Sequence, residues 1–167
     1  KGVGSDCVAQ MFRKHGINNF MIEIGGEVVT SGVSPKDKAW RIGVNKPQED
    51  STSTSNELQT ILQMNNCAMA TSGNYRNFYI DNGRKIAHTI DPKTGYPVQH
   101  SILSSTVIAP TCAIADAYAT AFMVLGLEKS LQVLDKHPEL MAYFIHTDKE
   151  GNYQVWKSPG IEALIAQ

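Results

Sequence analysis

The chain has 167 residues, enough for one domain with a sizeable core. Its 15 basic and 16 acidic residues leave a net charge of -1, and no basic run interleaves with aromatics, which argues against a general nucleic-acid footprint. A hydrophobic fraction of 42% is ordinary for a globular protein, and no apolar run is long enough to span a bilayer.

Cys7, Cys67 and Cys112 are too few and too scattered for a disulfide scaffold, and the lack of a CxxC pair argues against zinc or an iron–sulfur cluster. The odd count leaves at least one thiol free or paired between chains. Lys1-Gly2-Val3-Gly4 has no initiator methionine and no signal-peptide pattern. It reads as the interior of a motif, so the chain is expected to be a fragment or processed piece.

Ser5 is expected to cap a first helix with Val8, Met11 and Phe12 on its buried face and Gly16 as its stop. After a turn at Asn18-Asn19, Phe20, Ile22 and Ile24 alternate with polar or outward positions as a strand. Gly25-Gly26 interrupts before a second strand over 27–30, as a bulge or as a close backbone approach to a ligand. Trp40, Ile42 and Val44 alternate next. Residues 46–56 are polar and read as an exposed loop. A strand over 57–64 places Leu58, Leu62 and Met64 on one face, with Asn65-Asn66 as a hairpin turn into 67–71. Asp81-Asn82-Gly83 is the strongest hairpin signal and joins 78–80 to 85–88.

A strand over 103–109 follows. Thr111 then caps a helix that runs to Leu125 and ends at Gly126. A second helix over 128–136 stops at His137-Pro138, and 142–145 with 153–157 form a closing hairpin. Strands outnumber helices and meet mostly through short turns. The expected class is therefore α+β, a largely antiparallel sheet covered by helices, in a single domain over 1–167.

Three groups carry chemistry. Between Cys112 and Leu125 the only charged residue is Asp116, in a helix apolar enough all round to be expected buried. A buried carboxylate needs a partner, and Thr120 places a hydroxyl one turn further on the same face. Together they suit a hard cation such as Mg2+ or Ca2+. The alternative is that Asp116 accepts from loop amides while Thr120 bonds the carbonyl of its own helix. Thr71, Ser72, Gly73, Asn74, Tyr75 and Arg76 gather hydroxyls, a permissive glycine and a guanidinium suited to phosphate, although an ordinary polar loop has the same composition. His88 precedes Asp91-Pro92 in a stiff loop, a general base with an orienting partner or a lone surface histidine with an Asp-closed turn.

The combination resembles the ApbE family of FAD:protein FMN transferases. Lys1-Gly2 looks like the end of the family's A-K-G segment, and Ile22-Glu23-Ile24-Gly25-Gly26-Glu27-Val28 like its strand–Gly-Gly motif. Thr71-Ser72-Gly73-Asn74-Tyr75-Arg76 looks like T-S-G-x-Y-x. His88-Thr89-Ile90-Asp91-Pro92-Lys93-Thr94-Gly95-Tyr96-Pro97 looks like H-x-I-D-P-x-T-G-x-P, and residues 115–120 look like A-D-A-x-x-T.

The resemblance implies an ApbE-like domain, the C-terminal portion of the family's longer chain, and an enzyme that splits FAD at its pyrophosphate. FMN passes to a Thr or Ser hydroxyl of a partner protein, AMP is released, and Mg2+ is required. It further implies that Asp116 and Thr120 hold Mg2+ and that His88 activates the acceptor hydroxyl. Lys1, Gly25, Gly26, Thr71, Ser72, Gly73, Tyr75, Arg76, Ile90 and Asp91 would contact FAD. In some members an Asp stands where this chain has Ala119. The implied acceptor is a membrane-bound respiratory flavoprotein subunit at the periplasmic side of the bacterial inner membrane, with a lipid anchor upstream. Rival readings are a metal-dependent FAD pyrophosphatase and a non-catalytic FAD-binding protein of the same fold.

Overall fold

A computed structural model describes residues 1–46, 58–74, 78–81, 84–87, 89–98 and 100–166. Its elements are α1 (Gly2–Lys14), β1 (Phe20–Ile24), β2 (Glu27–Ser31), β3 (Trp40–Asn45), β4 (Leu58–Met64), β5 (Ala68–Gly73), β6 (Phe78–Asp81) and β7 (Arg84–Ala87). There follow β8 (Ile102–Ala109), α2 (Cys112–Leu125), α3 (Leu127–Leu134), β9 (Met141–Thr147), β10 (Tyr153–Lys157) and a short 3-10 turn, Ile161–Leu164.

Among the described residues the main sheet runs β1-β2-β5-β8-β9-β10, every neighbouring pair antiparallel. Strand side chains alternate between faces, so β8 splits its residues between two cores. Val107 and Ala109 meet Ala115, Ala119 and Phe122 of α2, while Ile108 packs with Ile42, Leu62 and Met64 of the β3–β4 pair. The sheet is thus sandwiched by helices on one face and the β3–β4 hairpin on the other, the expected antiparallel α+β arrangement with an added layer. Phe122 stacks edge-on to Phe144 at 5.4 Å, and both are fully buried. Each such burial contributes about 1.5–3 kcal/mol.

Thr111 caps α2 as expected, its side chain accepting from the Ile114 N–H, and Gly126 ends it with φ +74°. The helix buries Cys112, Ala115, Ala119, Phe122 and Met123. Asp116 and Thr120 lie off that stripe, which corrects the expectation of a buried carboxylate. The Asp116 side chain is 28% exposed and Thr120 is exposed. Outward alanines such as Ala117 made the helix look apolar all round although only one stripe faces the sheet.

The start of α1 differs from expectation for a related reason. Ser5 does not cap the helix; the helix begins at Gly2, and the Ser5 hydroxyl is buried, donating to the Glu27 carbonyl at 3.1 Å. The cap comes from another helix instead. The Gly2 N–H donates to Asp116 Oδ2 at 2.9 Å. Reciprocally, Asp6 of α1 accepts from the Cys112 N–H at 2.9 Å and the Ala113 N–H at 2.8 Å, the first turn of α2. Helix N-termini leave N–H groups without intrahelical partners and favour negative charge. Each helix therefore satisfies the other. The approach is close: a Cβ on Gly2 would lie 2.4 Å from the Cys112 carbonyl oxygen.

Gly25-Gly26 is not a bulge. It is the two-residue turn of the β1–β2 hairpin, with φ +60° and +94° and Ile24 opposite Glu27, the type I′ pattern. Asn65-Asn66 is not a hairpin turn: β4 pairs with β3, while β5 pairs with β2 and β8. Leu62 and Met64 bury against the main sheet's face, so β4 crosses into another layer instead of folding back. Leu58 shares their parity but is 50% exposed, and Met11 is 48% exposed, because both lie beyond the covered area. β6 pairs with β7, Asp81 opposite Arg84, as the hairpin signal required. The turn residues Asn82 and Gly83, and 47–56 of the expected loop, lie outside the described residues.

Replacing Gly2 by Ala forces the α1–α2 junction apart and is expected to destabilise the protein by about 1–3 kcal/mol in urea unfolding. Unchanged stability would mean that the helices do not meet so closely. Burial, reinforced by the neighbouring carboxylate of Asp6, pushes the Cys112 thiol up to about 12. It therefore stays protonated in the fold, and the stability this represents is lost only as pH rises from the ordinary thiol value towards 12. At about pH 8 a maleimide is expected to label exposed Cys7 quickly and to spare Cys112 until the protein is unfolded. Rapid labelling of Cys112 in the folded protein would contradict this.

Candidate functional site

The end of β5 supplies two different surfaces because neighbouring strand residues face opposite ways. Thr71 points to the β3–β4 side and pairs its hydroxyl with Thr106 at 2.9 Å. Ser72 points to the helices, its hydroxyl 3.0 Å from that of Thr120. Asp116 stands one turn before Thr120 on the same flank of α2. A carboxylate and two hydroxyls thus line one side of the helix, beside the junction where the N-termini of α1 and α2 meet. Among the described residues no group of three His, Cys, Asp or Glu side chains is placed to hold a metal.

On the other side lies a cavity of about 720 Å³, walled by Lys1, Gly25, Gly26, Arg41, Thr71 and Gly73, with Val28, Ile42 and Met69 as apolar lining. That volume suits a sizeable small molecule. Five residues singled out in the sequence, Lys1, Gly25, Gly26, Thr71 and Gly73, are brought together on it. Lys1 lies across the β1–β2 turn, its ammonium donating to the Gly25 carbonyl at 2.8 Å and pairing with Glu27 Oε1 at 2.9 Å. A Cβ on Gly25 would sit 3.0 Å from Lys1 Cδ, so a glycine there gives the lysine its path.

The loop over 89–98 is closed by its own backbone. Asp91 accepts from the Lys93 N–H at 2.8 Å, its N–H donates to the Tyr96 carbonyl, and Ile90 bridges Pro97. Asp91 therefore acts as the turn-closing residue that the alternative reading described. Ile90 is 47% exposed. The Thr89 hydroxyl donates to Asn74 Oδ1 at 2.6 Å, tying this loop to the end of β5. His88, Tyr75 and Arg76 lie outside the described residues.

Sequence reasoning missed three contributors. Glu27 is a buried carboxylate whose Oε2 has no hydrogen-bond partner among the described residues, and its sole sequence signal was a charge directly after a Gly-Gly turn. Arg41 belongs to a strand that reads only as hydrophobic alternation. Asp6 lies four residues after Gly2 in the first helix and gave no sign of reaching another helix. Asp6, Glu27 and Asp116 all lie near enough to act on the Cys112 thiol, after the larger effect of its burial, so this region is rich in negative charge. Ala119, by contrast, is fully buried in the sheet-facing core.

Residues 1–144 match the model of the ApbE family. The chain is 39% identical over 165 residues to a Klebsiella pneumoniae protein named FAD:protein FMN transferase, covering 99% of this chain and 45% of that protein. A Haemophilus influenzae protein of the same name is 41% identical over 148 residues, 89% of this chain and 42% of that protein. The solved structure of the flavin transferase ApbE from Vibrio cholerae matches with a TM-score of 0.81 at 32% identity, covering 98% of this chain and 50% of that one. The chain spans about half the length of the curated relatives it matches.

Proposed function

This chain belongs to the ApbE family, and from that premise we propose that the protein moves FMN from FAD to a threonine or serine hydroxyl of a partner protein, releasing AMP. The observation that carries the reading is the convergence of Lys1, Gly25, Gly26, Thr71 and Gly73 on one cavity, directly across β5 from Ser72 and Thr120. FAD occupies the cavity. The Lys1 ammonium, held by Glu27 and the Gly25 carbonyl, offers positive charge to the phosphates.

The donors on the α2 flank fit a hard, still partly hydrated cation such as Mg2+, since they are all oxygens and include one carboxylate. Asp116 and Thr120 would hold it, with Ser72 fixing the Thr120 hydroxyl. When bound, Mg2+ neutralises negative charge on the pyrophosphate. His88 takes the proton from the acceptor hydroxyl. That oxygen attacks the FMN phosphorus, the bond to the bridging oxygen breaks, and AMP leaves with the electron pair. The family likeness also supports a respiratory flavoprotein subunit as acceptor, on the periplasmic side of the bacterial inner membrane, with attachment through an upstream lipid anchor.

Incubation with FAD, Mg2+ and an acceptor peptide is expected to yield a flavin-labelled peptide and AMP. Free FMN without labelled peptide would instead establish a pyrophosphatase, and intact FAD bound in excess Mg2+ a storage protein. His88→Ala is expected to slow transfer about 10²–10⁴-fold, and an unchanged rate would remove it as the base. Asp116→Asn keeps an oxygen for the Gly2 N–H but loses the charge. Transfer by this variant should demand about tenfold more Mg2+ or fail altogether; a normal Mg2+ titration would refute the site.

A further inference from the structure

Asp6 touches neither the cavity nor the oxygens of Ser72 and Thr120, yet both its carboxylate oxygens are committed to α2, at 2.9 Å from the Cys112 nitrogen and 2.8 Å from the Ala113 nitrogen. Asp116, one turn further along α2, is gripped in return through Oδ2 by the Gly2 N–H of α1 at 2.9 Å. Gly2 has no room for a side chain between the two helices. These contacts set both the depth of α2 against α1 and the orientation of one carboxylate oxygen of Asp116.

We propose that Asp6 is a positioning residue for the cation site: by locking the first turn of α2 to α1 it keeps Asp116 on the Gly2 N–H, with its second oxygen presented to the ion beside Thr120. The inference rests on the reading of Asp116 and Thr120 as cation ligands. The physical logic is that of an outer partner which orients a coordinating carboxylate. Such partners typically carry 10–100-fold in metal affinity although they do not touch the metal. Asp6 does so through helix placement, since its two hydrogen bonds satisfy N–H groups that have no intrahelical acceptor.

The test is a titration of the protein with Mn2+ alone, followed by loss of the free-ion EPR signal. Asp6→Ala is expected to weaken Mn2+ binding about tenfold. Thr111→Ala removes α2's other cap, which accepts from the Ile114 N–H, but leaves the α1 lock intact. It should leave affinity within about twofold of the wild type while lowering the urea midpoint of unfolding. Asp6→Glu keeps the charge but is too long to serve both amides in the same geometry, and it should lose affinity as Asp6→Ala does; it also carries the test if Asp6→Ala does not fold. Wild-type affinity in Asp6→Glu would show that charge alone matters, and an equal loss in Thr111→Ala would show general destabilisation; either overturns the proposal. If the wild type binds Mn2+ and Asp116→Asn abolishes binding while Asp6→Ala does not weaken it, only the role of Asp6 falls. If the wild type binds no Mn2+, the cation site falls and this inference with it.

Discussion

Two carboxylates exchanged between two helix N-termini hold this structure's functional half in place. Asp6 serves the start of α2 and Asp116 serves the start of α1, across a junction so tight that only glycine fits at position 2. Each contact joins a charged acceptor to N–H groups that would otherwise lack partners, and both place negative charge where the helix dipole favours it. The consequence is positional. Once α2 is seated on α1 and its alanine stripe on β5 and β8, Thr120 falls within hydrogen-bond distance of Ser72.

β5 then links the two parts of the site through the two-residue period of a strand. Ser72 turns towards the helices and the cation-suited oxygens, while Thr71 and Gly73 turn towards the cavity with Lys1 and the Gly25-Gly26 turn. A ligand filling the cavity and an ion on the α2 flank would therefore meet at the end of one strand. The local charge is mixed by design of the fold: Asp6 and Asp116 are engaged by backbone amides, and buried Glu27 is matched by Lys1. Only the Glu27 end of that pair is buried; the Lys1 side chain is 58% exposed, so the contact holds the ammonium at the cavity's rim with solvent beside it.

Much of this was legible in the sequence because it depends on local chemistry. Hydrophobic alternation located β1 and β3, and Thr111 with Gly126 bounded α2, since caps and periodicity act over a few residues. The motif residues also marked part of the cavity wall, namely Lys1, Gly25, Gly26, Thr71 and Gly73. What was not legible depends on contacts between distant elements. Ser5 looked like a cap because nothing local shows that Asp116, more than a hundred residues away, does the capping. Asp116 looked buried because exposed alanines carry the same signal as buried ones. Asn65-Asn66 looked like a hairpin turn because turn chemistry does not say whether the strands on either side pair or part into different layers.

In the proposed site one carboxylate serves two ends, with one oxygen of Asp116 on the Gly2 N–H and the other on the cation. Crystals of the protein grown with FAD and soaked in Mn2+ would test it directly through the anomalous signal of the metal. The expected result is a peak within about 2.0–2.4 Å of Asp116 and Thr120 oxygens, with the Gly2 hydrogen bond still made. A peak on other carboxylates, or an Asp116 that has turned away from Gly2 to reach the ion, would contradict it.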